Sequence, residues 1–417
     1  MATKRWQGDA RAIADVWTFT PGGTIASGST FTFTVAGKAV VYTSTGATAA
    51  IVSAGVTAMW NSTENPLPPE FREYQAVDAT GSVVFTQRTK GLPGTIACVA
   101  GGSGSPSLTI TNTTPATGPK YIDNADNWDD DAAPANSDVL VFDSGSVDCL
   151  YGTISSLTGI TIKVLEGYTG KLGLPEYNGS GSNSYPEYRE KYVKITGGTL
   201  EVDCSTATRV RVDFQSTQAT LIVRNTGQRE NNLPAVTIKG GAASSRADIT
   251  RGDVALAYFA GETADFPTVN IAFVDRQESD ANVYIGETGS TITTLTKSGG
   301  ILVNHATVTT FRQTPGGGVT TQMAGGVTTA TIDGGRYAYN SSGTLATASA
   351  SGDGFIDFDG DTRAKTVTNP IDLYGDKCRL RDTRGVISSL VVDCNSGATG
   401  AQIDRGTTYR LTFGSVA

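Results

Sequence analysis

The spacing of glycines between Ser298 and Asp376 constrains the fold of this chain more than any other sequence feature. Glycines recur at Gly300, Gly317, Gly335 and Gly354, at intervals of 17, 18 and 19 residues (317 − 300, 335 − 317 and 354 − 335). Short runs rich in β-branched residues fill the intervals. A near-constant repeat of one turn and short strands is typical of a β-solenoid, in which each coil buries its apolar face against the next coil. The sequence therefore predicts a mostly β chain with a single-stranded parallel β-helix.

The predicted solenoid extends beyond this regular repeat. Short strand-like runs with turns between them continue upstream to Tyr192. We expect irregular β-helix coils with a tyrosine-rich insertion over residues 118–297. Regular coils and a C-terminal cap are expected over 298–417, because an open solenoid end would expose unpaired strand edges. A two-sheet β-sandwich is the alternative fold.

Residues 1–117 lack the solenoid repeat, and their pattern predicts a small α+β attachment module. The alternating run STFTFTV is followed by Gly37-Lys38 and then AVVYT, which indicates a β-hairpin. Apolar residues at helical spacing predict a helix over residues 46–60, and the prolines from Pro66 onward prevent its continuation. Residues 113–120 have the composition of a linker.

Composition excludes several classes of protein. The chain has 417 residues, a net charge of −8 and only 17% charged residues. An acidic chain has no general electrostatic reason to bind nucleic acid, and no apolar run is long enough to predict a membrane-spanning helix. The five cysteines are widely spaced, so we expect free thiols in a reducing cytoplasm, with a Cys378–Cys394 disulfide as the alternative.

The acidic run GDGFIDFDGDT at 352–362 is the best candidate for a metal site. A strand here would place Asp357, Asp359 and Asp361 on one face. Three adjacent carboxylates repel one another unless a cation joins them, and Ca²⁺ is the cation that oxygen ligands favour. The alternatives are a solvated turn, or two carboxylates acting as acid and base on a glycosidic bond. No other cofactor is predicted.

A long insertion from Pro175 to Tyr192 is the best candidate for a binding surface. Loops of this length in compact domains usually serve binding or packing. Its Tyr185, Tyr188 and Tyr192 combine a large apolar body with a polar tip, which favours an interface. We expect them to contact a neighbouring subunit in preference to a sugar.

The remaining candidates carry weaker signals. His305 is the only histidine, and no GxSxG motif accompanies it, so a serine triad is not predicted. The tripeptide Arg-Gly-Asp at 251–253 is short enough to occur by chance. Arg209 and Arg211 alternate with valines and share a strand face with Asp213, which predicts an ion-pair ladder.

The first half of the chain resembles a family of tailed-phage virion structural proteins that some environmental bacteria also encode. The resemblance lies in Asn127-Trp128, in LYG at 150–152, in LTGI at 157–160, and in YTGKLGLP and YPEYREKY between 168 and 192. It implies a virion structural protein and assigns no individual functional residue.

We therefore expect a non-enzymatic capsid decoration protein or a head or tail fibre component. A tailspike-type polysaccharide depolymerase and a carbohydrate-binding adhesion module are the alternatives. The expected assembly is a homo-oligomer, a trimer, in contact with other virion proteins such as the major capsid protein. We expect assembly in the host bacterial cytoplasm and location in the virion, with a host surface glycan as a further partner and neither nucleic acid nor membrane.

Overall fold

A computed structural model describes residues 1–179, 184–271, 281–286, 291–405 and 409–413. The predicted fold class is confirmed: the chain is mostly β, with 49% strand and 5% helix, and a parallel β-solenoid of about 11 turns follows a small N-terminal α+β part. The β-sandwich alternative is wrong, because strands pair in parallel with the strand one coil away. In the described ranges, no helix is both long enough and apolar enough to span a bilayer.

From Val193 onward, each solenoid coil contributes one strand to each of two parallel sheets that enclose the core. Among the described residues, the first sheet has 15 strands. In order these are Thr3–Arg5, Val139–Phe142, Thr158–Leu165, Thr196–Asp203, Ala219–Asn225, Arg246–Ile249, Thr268–Ile271, Ile292–Lys297, Val308–Gln313, Val327–Ile332, Thr344–Ser351, Ile371–Tyr374, Leu390–Asn395 and Tyr409–Phe413, with Thr366–Val367 also pairing Thr344–Ser351.

The second solenoid sheet has 12 strands within the same described ranges. They are Val193–Lys194, Val210–Asp213, Val236–Gly241, Asp253–Leu256, Asn282–Ile285, Ile301–Asn304, Val319–Gln322, Arg336–Tyr339, Phe355–Asp357, Arg379–Asp382 and Ile403–Arg405, with Ala264–Asp265 also pairing Val236–Gly241. Short 3-10 turns lie at Phe71–Glu73, Ala125–Asn127 and Gly400–Gln402.

The glycine repeat marks one corner of these coils. The N–H of Arg336 donates to the carbonyl of Gly318 (2.8 Å), and the N–H of Phe355 donates to Gly335 (2.8 Å). The glycine that stacks at this corner is Gly318, whereas the sequence analysis had assigned Gly317 to the repeat. Gly318 has φ +66°, and a Cβ there would lie 2.3 Å from the Gly300 oxygen. Glycine is therefore required by both backbone conformation and close approach.

The core of the regular coils contains buried polar side chains as well as aliphatic ones. Asn304 and Gln322 occupy register positions on adjacent coils, and Asn304 Nδ2 donates to Gln322 Oε1 (2.7 Å). Gln322 Nε2 in turn donates to the Ala306 carbonyl (2.8 Å). Lys297 is fully buried, and its Nζ donates to the carbonyl of Gly317. Such hydrogen bonds between coils help to fix the register in which the coils stack.

The N-terminal module contains one antiparallel sheet and one helix. Its strands run in the order Lys38–Thr43, Val16–Val35, Val83–Gln87 and Tyr74–Asp78, and Ala97–Thr114 also pairs with Val16–Val35. The predicted hairpin is present, with Val35 opposite Lys38. The helix predicted over 46–60 spans Ala49–Trp60 and begins where the Thr48 hydroxyl accepts from the N–H of Ile51 (3.3 Å).

The first strand lies outside the module in which the sequence placed it. Thr3–Arg5 pairs in parallel with residues 139–141 at the end of the first solenoid sheet. Trp6 then packs edge to face on Trp128, with ring centroids 5.3 Å apart, and 5.4 Å from Phe142. These rings belong to the solenoid core at its N-terminal end, where Thr3–Arg5 is the terminal strand of the first sheet.

Candidate functional site

The insertion between Pro175 and Tyr192 contacts both the N-terminal module and the solenoid. It contains a short antiparallel pair, Tyr177–Asn178 with Tyr185–Pro186. The N–H of Glu187 donates to the Glu176 carbonyl (2.8 Å) and continues that pairing. The two arms of this hairpin have different neighbours: the second contacts the module, and the first lies over the solenoid.

The second arm is anchored on one carboxylate of the module, that of Glu73. Tyr188 Oη donates to Glu73 (2.7 Å), Tyr185 Oη donates to the same carboxylate, and Arg189 forms an ion pair with it. Burial raises the pKa of both phenols, and the adjacent Glu73 charge adds to the effect. Both hydroxyls therefore stay protonated and act as donors.

The guanidinium group of Arg189 is buried in the same contact and has several partners. Its side chain is 7% exposed, its Nε donates to the Pro93 carbonyl (2.7 Å), and its Nη1 lies 3.2 Å from Glu187 Oε1. The guanidinium carbon also lies 4.4 Å from the centre of the Tyr188 ring. A buried cation with two carboxylates and a stacked ring fixes the geometry of the contact.

The predicted interface tyrosines thus contact their own chain. Tyr185 and Tyr188 stack with ring centroids 6.4 Å apart against the module. Tyr192 is buried separately against the solenoid, where Lys239 Nζ lies 4.3 Å from its ring centre. Glu73 was missed at the sequence level because it lies 112 residues before Tyr185 and belongs to no local motif.

A cavity of about 480 Å³ lies beneath the first arm of the insertion. Arg209 and Arg211, next to and within a strand of the second solenoid sheet, contribute nearly buried side chains to it. The side chains that matter for its chemistry are Glu176, Tyr177, Arg209, Arg211, Glu230 and Phe259.

Two carboxylates in this cavity each join an arginine to a lysine. Glu230 accepts from Arg209 Nη1 (3.0 Å) and pairs with Lys171. Glu176 accepts from Arg211 Nη1 (2.8 Å) and from Lys191 Nζ (2.7 Å). The charge of Asp148 also acts on Arg209, so the four cations and three carboxylates leave a net charge of +1 (4 − 3), in a chain whose net charge is −8.

Arg209, Arg211 and Asp213 do not form the expected ion-pair ladder with one another. The two arginines pair with Glu230 and Glu176, and Asp213 lies 3.7 Å from Lys239. The alternation of arginine and valine correctly indicated one shared strand face. It could not reveal the partners, which come from loops about 20 to 35 residues away (230 − 209 = 21 and 211 − 176 = 35).

The acidic run does not place its three carboxylates on one strand face. The strand Phe355–Asp357 ends at Asp357, so Asp359 and Asp361 follow in a loop and that expectation is wrong. Asp357 is fully buried and accepts from Arg336 Nε (2.8 Å). Asp361 pairs with Lys365 (2.5 Å) and Arg363 (2.6 Å). Burial alone would raise the pKa of its carboxyl, but these two hydrogen-bonded cations outweigh burial and lower that pKa.

Asp359 has different partners again, the Thr383 hydroxyl (2.5 Å) and the N–H of Arg384 (3.2 Å). Across the described ranges, no group of three or more His, Cys, Asp or Glu side chains is arranged to hold a metal ion. Each of the three carboxylates therefore has its own partners: Asp357 and Asp361 form ion pairs, and Asp359 accepts hydrogen bonds.

The other sequence candidates have structural contacts of their own. His305 packs against Tyr284, with ring centroids 5.2 Å apart. In the Arg-Gly-Asp tripeptide, Asp253 forms an ion pair with Arg229. Cys378 and Cys394 are buried free thiols, so the alternative disulfide is not formed.

The fold and these contacts define a two-sheet parallel β-solenoid that carries a fixed N-terminal α+β module. No protein-family model matches the chain, and no curated protein is significantly similar to it in sequence. A β-solenoid is compatible with fibres and with tailspikes and identifies neither, because one fold serves many functions.

Proposed function

We propose that this chain is a non-enzymatic structural protein of a phage particle, either a capsid decoration protein or a component of a head or tail fibre. The observation that carries the proposal is the buried contact of Glu73 with Tyr185, Tyr188 and Arg189. It holds a compact module at a fixed position on a long solenoid. A stiff body with one fixed attachment module suits a mechanical role on a particle, and the sequence resemblance points to the same class.

The state of the acidic run supports a non-enzymatic role. Glycosidases need one carboxylic acid whose pKa is raised and a second carboxylate that remains ionised, both facing the substrate. Asp357 and Asp361 are instead paired with Arg336 and Lys365, and the pKa of Asp361 is lowered. The run therefore lacks the asymmetry that acid–base catalysis requires.

One pair of carboxylates favours a tailspike-type depolymerase as a second candidate. Asp372 and Asp393 are register partners on adjacent coils of the first solenoid sheet. Burial and the charge of Asp393 raise the pKa of Asp372, in the direction that a general acid needs. Release of reducing ends from host capsular polysaccharide, abolished by Asp372→Asn, would establish this second function.

The proposed assembly is a homotrimer in contact with the major capsid protein, formed in the host cytoplasm and carried in the virion. Quantitative mass spectrometry of purified particles tests it directly. Many copies per particle would indicate decoration, and few copies would indicate a fibre. Absence of the chain from purified particles would refute the proposal. Light scattering of the purified protein tests the trimer separately.

A further inference from the structure

The cavity beneath the insertion has the composition of a ligand site. We propose that it binds an acidic sugar unit of a glycan, a uronate or another carboxylated saccharide. The two arginines would hold the carboxylate, and Tyr177 and Phe259 would contact the sugar ring. This inference adds a ligand to the molecule and does not depend on its place in a particle.

The cavity is built from separate parts of the chain. Its volume of about 480 Å³ falls within the range of small-molecule sites. The insertion supplies Glu176 and Tyr177, the solenoid strand supplies Arg211, and later loops supply Glu230 and Phe259. Arg211 is nearly buried and already paired with Glu176, so its side chain needs little ordering when a ligand binds, which favours affinity.

The two arginines retain donors for an anion. The side chain of Arg209 is 10% exposed and that of Arg211 is 3% exposed. Arg209 donates through Nε to the Gly173 carbonyl (2.9 Å) and through Nη1 to Glu230, and Arg211 donates through Nη1 to Glu176. In the described part of the chain, neither guanidinium has an acceptor for its Nη2 hydrogens. A carboxylate is the planar acceptor that a guanidinium edge matches best.

The local charge also favours an anion. Burial lowers the pKa of Arg209 and outweighs the opposing effect of Glu230, while the neighbouring Arg211 lowers it further. With Asp148, whose charge also acts on Arg209, the cluster has a net charge of +1, from four cations and three carboxylates. A bound carboxylate would offset part of this charge in a region of low dielectric, where the interaction is strong.

The walls favour a sugar over a simple inorganic anion. Tyr177 is 62% exposed, so its ring is accessible to a sugar, whereas Phe259 packs on the Arg211 guanidinium carbon (5.3 Å) and Lys191 Nζ (5.5 Å) and leaves its ring edge to line the cavity. The C–H edges of a sugar ring pack on aromatic faces, which carry negative charge. Glu176 and Glu230 can accept hydrogen bonds from hydroxyl groups. An inorganic anion would use the arginines and leave these aromatic and carboxylate groups without a function.

Calorimetry on the full chain tests the proposal with three acidic probes: tetragalacturonate, a glucuronate-containing tetramer and a sialylated trisaccharide. Each is compared with its methyl ester, which lacks the negative charge. We expect at least one acid to bind with a Kd below about 1 mM and its ester to bind at least about tenfold more weakly. Tyr177→Ala and Arg211→Met should each weaken binding about fivefold or more.

Arg312→Met is the matched control, because Arg312 pairs with Asp333 (3.3 Å), is 60% exposed and lies on another coil. It should leave binding unchanged. The exposed Tyr177 can be removed without a buried charge being lost, so its variant decides the question if Arg211→Met fails to fold. Equal binding of acid and ester, equal binding of inorganic phosphate, or no binding of any probe would each overturn the proposal.

Discussion

Lys297 provides the most direct test of how a buried charge affects the stability of the solenoid core. Its side chain is fully enclosed in the core, and burial lowers its pKa from 10.5 to about 7. Between these two values the unfolded chain binds a proton that the folded chain does not. Stability must therefore rise as the pH is raised from about 7 towards 10.5 and be lowest below pH 7.

The magnitude follows from the difference of the two pKa values. They differ by 10.5 − 7 = 3.5 pH units. At about 1.4 kcal/mol per pH unit, a protonated Lys297 costs the folded state about 5 kcal/mol in acid. Replacement by methionine removes this cost and forfeits one hydrogen bond, that of Nζ to the Gly317 carbonyl, worth about 1 kcal/mol. Lys297→Met should therefore be about 4 kcal/mol more stable than the parent at pH about 6.

Urea unfolding followed by circular dichroism at pH values of about 6, 8 and 10 measures this difference. The advantage of the Met variant should shrink by about 4 kcal/mol between pH about 6 and pH about 10. Lys163→Met is the control, because Lys163 is 34% exposed and pairs with Glu201 (3.3 Å), so its removal should cost less than about 1 kcal/mol at each pH. A gap between Lys297→Met and the parent that does not change with pH would refute the argument.

Three further substitutions test other parts of the structure. Gly318→Ala should lower the free energy of unfolding by about 1 to 3 kcal/mol, because it combines φ +66° with a contact of 2.3 Å to the Gly300 oxygen. Glu73→Gln should cost about 2 kcal/mol and speed hydrogen exchange over residues 184–192, since Arg189 keeps only Glu187 as a carboxylate partner. Asp357→Asn should cost about 1 to 3 kcal/mol, while added Ca²⁺ or a chelator should shift the melting temperature of the parent by less than about 1 °C.

Each substitution has a matched control. Gly261→Ala keeps a positive φ (+82°) without a close neighbour, so it should cost less than Gly318→Ala. Glu64→Gln changes an exposed carboxylate of the same module and should leave exchange over 184–192 unaltered. Asp359→Asn should cost less than Asp357→Asn, because the Asp359 partners are exposed. A calcium-induced rise in melting temperature of several degrees would contradict the account of the acidic run given above.

Local sequence patterns were sufficient for the repeating architecture. The glycine intervals predicted coils because each coil must turn at the same corner, and register partners there recur at Ile301, Val319, Arg336 and Phe355, at intervals of 18, 17 and 19 (319 − 301, 336 − 319 and 355 − 336). The hairpin and the helix of the module were predictable for the same reason. Alternation and helical spacing are properties of a few consecutive residues.

The candidate site could be predicted only in part. The length and tyrosine content of the insertion indicated a contact surface, and the alternation at Arg209 and Arg211 indicated one strand face. Their partners were hidden, because Glu73, Glu230 and Phe259 are brought to them by the winding of the chain and follow no local pattern. The prediction that the acidic run places three carboxylates on one face was wrong because it required the strand to continue past Asp357, where the strand ends.

The sequence by itself determined that this chain winds into glycine-cornered β coils behind an α+β module. Periodicity is encoded residue by residue, so it can be read without coordinates. Only the tertiary structure decided that Thr3–Arg5 joins the first solenoid sheet as its terminal strand, that Lys297 is buried, and that the insertion contacts both the module and the coils. Each of these depends on which distant surfaces meet, and the energy of such contacts comes from burial and pairing that no single segment specifies.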